Sequence, residues 1–233
     1  MSDAPDSPTP ATIGPRELEG TIDLLGVIAY GAIKGFTSIA ADAEMARDLD
    51  LKRALAGMAA KEFRGHELLV DHIGELGGTP TEAMEPFREA FDAYHDRTRP
   101  RDLLEGLVKA YIGDGIASDF YLETAQYVRP GTAAIIQQAT ADHRDVDVIV
   151  AAVRRGIEAD SRRAGPLALW GRRLMGEALT QGQVVASRRE TLGDLVLGRS
   201  HDRPGATIEE IGELMQRLTD QHQVRMRRLG LAP

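Results

Sequence analysis

The chain has no cysteine, one tryptophan, and aromatic residues at only 5% of its 233 positions. Without cysteine, disulfide frameworks, thiolate zinc sites and thiol catalysis are excluded. No continuous apolar run approaches the ~20 residues that span a bilayer, so no membrane association is expected. No segment shows the clean polar–apolar alternation of a half-buried strand. Gly-rich nucleotide loops, nucleophile elbows and a His-Glu-x-x-His pair are absent too. The opening stretch MSDAPDSPTPATIGPRE is rich in Pro, Ser and Asp, has no apolar core and does not begin with basic residues. It is expected to be a disordered tail over 1–16, not a signal peptide, which makes the cytoplasm the default location.

Charge is plentiful but uneven. The net value is -8, with 28 acidic against 16 basic residues in 1–160 and 12 basic, all arginine, against 8 acidic in 161–233. An arginine-rich final third can contact phosphate or simply form solvated helix faces. The acidic bulk and the lack of aromatic platforms among those arginines favour the second.

Apolar residues recur with the 3.6-residue helical period almost throughout. The pattern predicts helices over 17–47, 51–76, a short 81–95, 101–128, 132–158, 163–197 and 207–229. Gly77 and Gly78 suit a helix stop, Thr79 with Glu82 and Thr207 with Glu210 have capping-box spacing, and Pro80 fits a first helical position. The expected fold is all-α: a bundle of four long helices with two additional C-terminal helices packed outside, forming one domain over 17–233. Trp170 is expected to anchor the fifth helix on the bundle, and Asp119 and Glu123 to face solvent or arginines.

Three carboxylates fall on these apolar stripes: Glu62, Asp114 and Asp142, each on a different long helix. A lone ionised carboxylate in a core costs several kcal/mol unless paired or metal-bound. Three near the middles of consecutive helices are expected to converge on one pocket, with oxygens within roughly 8 Å, the scale of a two-metal site. Di-iron and di-manganese bundles use a Glu from each of two helices and a Glu-x-x-His from each of the others. Here Ala32 stands where the first inward carboxylate would sit, and Glu62 is followed at the His position by Gly65, with His66 one place late. Asp142 is followed by Asp145, with His143 off position. The candidate metal-binding set is therefore Glu62, Asp114, Asp142 and Asp145, with His66 and His143 less well placed. Without metal, pairing with Arg64 or Arg144 is the alternative.

The stretches LLGVIAYGAIKGF, MAAKEF, LLEGLVKAYIGDGIASDFY, LALWGRRLMGEALTQGQ and LTDQHQVRMRRLGLAP resemble an actinobacterial ferritin-like family. That family is related to the tRNA methylthio-isopentenyl-adenosine hydroxylase and called MiaE-like. The resemblance covers nearly everything after residue 20. It implies a ferritin-like bundle and, in typical members, a non-haem di-iron site that activates oxygen for hydroxylation. Where typical members read YGEL this chain has YGAI, so Ala32 replaces a glutamate. Where they read EFGH it has EFRG, so Glu62 matches and Gly65 replaces a histidine. GDGIA matches and brings Asp114. Where they read DTGH it has DHRD, so Asp142 matches and Asp145 replaces a histidine. The metal implied is iron or manganese, held incompletely or not at all, and Ala32 and Gly65 are expected to leave space where the lost ligands stood. Two readings follow: a divergent hydroxylase on an eroded site, or a non-catalytic scaffold that binds a small molecule or a protein partner. tRNA enters as a partner only through the family, and a homo-oligomer is compatible with either reading.

Overall fold

The structure, a computed structural model, describes residues 13–141 and 146–233. Asp142, His143, Arg144 and Asp145 lie outside the described residues, as does the tail up to residue 12. Among the described residues the regular structure is helical, as expected. The elements are α1 (Pro15–Met45), α2 (Leu49–Glu75), α3 (Pro80–Met84), α4 (Arg88–Arg97), α5 (Leu103–Ala125), α6 (Pro130–Thr140), α7 (Val146–Ala159), α8 (Ala164–Arg188), α9 (Glu190–Val196) and α10 (Ile208–Arg228).

The local signals explain most boundaries. Asp48 caps α2, its carboxylate accepting from the Leu51 amide at 2.8 Å, and Asp102 caps α5 through the Glu105 amide at 3.1 Å. Each such cap is worth about 1 kcal/mol. Thr207 and Glu210 form the expected capping box at α10. The box expected at Thr79 and Glu82 is corrected: Pro80 does open α3, but the Thr79 side chain makes no capping bond. Gly77 ends α2 at φ 82°, a conformation that suits glycine, and the Gly78 amide reaches back to the Ile73 carbonyl at 2.9 Å.

Three predicted helices are interrupted: the short 81–95 piece comes out as α3 and α4, with a 3-10 turn over Glu85–Phe87 between them, and the fourth and fifth long helices are each broken in two. The fourth stops at Ala141, which is extended at φ -71° and ψ 129°. The sequence TADHRD, from Thr140, is rich in Thr and Asp, side chains that favour caps over helix interiors. The fifth breaks at Arg189 (φ -125°, ψ 89°) because α9 is tied to α1. The Arg189 guanidinium and the Thr191 hydroxyl both bond the buried Asp23 carboxylate, and Arg16 pairs with Asp194. Tertiary ion pairs outweigh a continuous helical pattern here.

Helices α1 and α2 form a long antiparallel hairpin whose core side chains, including Leu25, Ile28, Leu55, Leu69 and Ile73, are fully buried. Each is worth roughly 1.5–3 kcal/mol in burial. The core has two lobes. One gathers Ile39, Leu55, Leu107, Ile112, Ile149, Leu167, Trp170 and Leu174; the other gathers Leu25, Ile28, Leu69, Ile73, Phe87, Ile136 and Leu195. Trp170 anchors α8 as expected, its indole N–H donating to the Glu105 carbonyl at 3.0 Å. The C-terminal arginines strap α10 to the bundle: Arg225 grips Asp119 at 2.6 and 2.7 Å, and Arg217 grips Glu123 at 2.8 and 2.9 Å.

By length and composition alone α1 is long and apolar enough to cross a bilayer, a test that buried core helices also pass. Continuous-run reading misses it because Gly, Thr, Ser and Lys34 interrupt the run. In the bundle this helix is packed against α2, α3, α5 and α9.

Candidate functional site

Where the two lobes meet, the helices enclose a cavity of about 620 Å³, within the range of small-molecule sites. Its wall is mostly aliphatic and aromatic, and its polar groups are few. They include Lys61, Glu62 and Asp114 at one place and His95 and Lys109 at another, with the Tyr121 hydroxyl near the first. Ala32 and Gly65 line the same space.

Of the carboxylates picked out by the sequence, Glu62 on α2 and Asp114 on α5 are brought together. They stand close enough that the charge of Asp114 disfavours ionisation of Glu62. Their side chains are 17% and 13% exposed. Burial first, and then the Asp114 charge, push the Glu62 carboxyl upward, to about 8. Lys61 opposes this, with Nζ 3.6 Å from Glu62 Oε1 and 3.8 Å from Asp114 Oδ1. The third carboxylate, Asp142, lies outside the described residues with Asp145 and His143.

Of the arginines expected at the pair, Arg64 is exposed and Arg144 lies outside the described residues; the described cation there is Lys61. His66 does not face the pair: its Nδ1 lies 2.9 Å from the Ala29 carbonyl, and its ring stacks on Phe63. Gly65 does not leave a vacancy. A Cβ there would stand 2.7 Å from the Ala139 carbonyl oxygen, because α2 and α6 approach closely at this point. The close neighbour of Glu62 on α1 is Gly35, where a Cβ would come within 3.2 Å of Glu62 Oε2. Glu62 thus folds over a bare stretch of α1, one turn beyond Ala32.

Lys61, Lys109 and Gly35 were not singled out from sequence. Lys61 sits beside Glu62, about 100° around the helix, and so reads as a solvated side chain. Lys109 did leave a signal. It lies between Val108 and Ala110 on a helix buried on nearly every side, where no solvated face is available to it.

Among the described residues no three His, Cys, Asp or Glu side chains stand close enough to hold one metal ion. With that geometry in place, the comparisons with known proteins add one result. A family model described as a ferritin-like domain of actinomycetes matches residues 15–199. No curated protein matches the chain.

Proposed function

The chain belongs to the ferritin-like domain family of actinomycetes, and we propose that it is a MiaE-like branch, related to non-haem di-iron hydroxylases, whose eroded metal site has become a small-molecule pocket. One observation carries this: a lysine ammonium stands against the carboxyl pair, and both open on a largely apolar cavity of about 620 Å³. A tethered ammonium supplies there the positive charge that a metal would supply.

The described donors do not fit a dinuclear iron or manganese site. Among the described residues they offer two carboxyls, no imidazole and a competing cation, whereas such sites need several deprotonated ligands per ion. No chemical step is therefore routed through a metal. The second reading, a hydroxylase holding metal through Glu62, Asp114, Asp142 and Asp145, draws on the pairing of the first two. A tRNA partner finds less support, because Arg217 and Arg225 of the basic C-terminal part are paired with α5 carboxylates, which lowers the free positive charge available to phosphate. A cytoplasmic location is part of the same proposal.

Filling the cavity tests the pocket reading. Ala117 lines it from α5, and Ala117→Phe is expected to lower the affinity for an apolar dye such as Nile red by about tenfold or more, since the ring occupies the apolar volume the dye would take. Unchanged dye binding in a variant with the parent's circular dichroism would remove the cavity as the binding site.

A further inference from the structure

The carboxyl pair already has the Lys61 ammonium against it. Lys109, elsewhere on the wall, has no anion in contact among the described residues. It is 5% exposed and lines the cavity. Its Nζ donates to the Thr98 carbonyl at 2.8 Å and lies 3.2 Å from His95 Nδ1. It also sits 5.6 Å from the centre of the Tyr94 ring. None of these partners carries negative charge: burial and the neighbouring ammonium hold the His95 imidazole neutral, at about 3. Nδ1 is then the acceptor and Nε2 carries the proton.

Two acceptors serve an ammonium that has three N–H donors. Among the described residues Lys109 forms no ion pair. Asp42, 2% exposed with Oδ2 unpartnered, acts on it electrostatically without a hydrogen bond; burial pushes its carboxyl up to about 6, so at neutral pH it carries charge and offsets part of the ammonium's. Burial lowers Lys109 to about 8, so it remains mostly charged at neutral pH. A buried cation with one N–H donor unfilled and no anion in hydrogen-bond contact, facing an apolar space, is costly to the protein alone. A ligand that brings one negative charge and an apolar body relieves that cost.

We propose that the cavity takes an apolar carboxylic acid, its carboxylate seated on Lys109 Nζ and its hydrocarbon body on the wall that includes Leu24, Ile28 and Leu69. The assignment rests on the cavity being a ligand site. It selects an acid over an amine because the Glu62–Asp114 pair already has Lys61 Nζ against it, at 3.6 and 3.8 Å, whereas Lys109 has no anion in contact.

Calorimetric titration of the full chain with dodecanoate, dodecanol and dodecylamine separates the cases, since only the head group differs. The acid is expected to bind about tenfold or more tighter than the alcohol, the difference made by one charge-assisted hydrogen bond in a desolvated site. Lys109→Met is expected to erase that preference and keep the alcohol's affinity; should the variant fail to fold, the comparison of head groups in the parent decides alone. An acid no tighter than the alcohol overturns the Lys109 seat and leaves the cavity reading standing. An amine that binds tightest moves the head-group site to Glu62 and Asp114. Failure of all three to bind overturns the cavity reading as well.

Discussion

Gly65→His, which places an imidazole on α2 where the proposed MiaE-like kinship expects one, is expected to lower stability by roughly 1–3 kcal/mol. The cause is the approach of α2 and α6. A Cβ at Gly65 would meet the Ala139 carbonyl oxygen at 2.7 Å, and a backbone oxygen cannot rotate aside as a side chain can. Alanine at this position should already be destabilising, although Gly→Ala inside a helix normally gains up to about 1 kcal/mol. Gly176 on α8 supplies the contrast. Nothing lies within 4 Å of a Cβ there, and Gly176→Ala should show the ordinary gain. Urea denaturation of the three variants reads the difference. A Gly65→Ala protein as stable as the parent would mean that the helices separate easily and that the site can be rebuilt.

The second large effect concerns pH. The Glu62 carboxyl is raised from 4.5 to about 8, by burial and by Asp114, against the opposing pull of Lys61. Between those values the folded chain holds a proton that the unfolded chain has released. By linkage the stability therefore falls as pH rises from 4.5 towards 8. Glu62→Gln keeps the shape and a hydrogen-bond donor toward Asp114 but cannot ionise. It should be more stable than the parent by ~1–3 kcal/mol near pH 8, with the gain shrinking towards pH 5. Lys61→Met should act in the opposite sense and steepen the alkaline loss, because it removes the charge that favours ionised Glu62. Denaturation curves across this pH range check both. Parent and Glu62→Gln curves that stay parallel would show that Glu62 is not the group that titrates.

Much of this arrangement is legible in the residues, and the exceptions have physical causes. The 3.6-residue stripes give the long helices, and the burial cost of a carboxylate singles out Glu62 and Asp114, which the bundle does bring together. Asp119 and Glu123 find the arginines expected for them. The breaks at Ala141 and Arg189 are harder to read. Arg189 leaves the helical conformation for a partner, Asp23, that is 166 residues away in the chain, and no local pattern reports such a contact. Lys61 and Gly35 are hidden for a related reason. A lysine next to a stripe looks solvated, and a glycine beside another helix's carboxylate shows its purpose only once the two helices are packed. Gly65 shows the limit of carrying over a family motif. A lost ligand suggests a vacancy, yet the helices have closed over the position.

The central claim is that Glu62 and Asp114 now face a lysine and a ligand cavity instead of a metal pair. Metal analysis of the full chain, expressed with iron and manganese supplementation and purified without chelator, tests it most directly. The account predicts only traces of either metal, with thermal stability unchanged by added chelator. A stoichiometric metal content that is lost in Glu62→Gln, together with a chelator-induced drop in the parent's melting temperature, would contradict it.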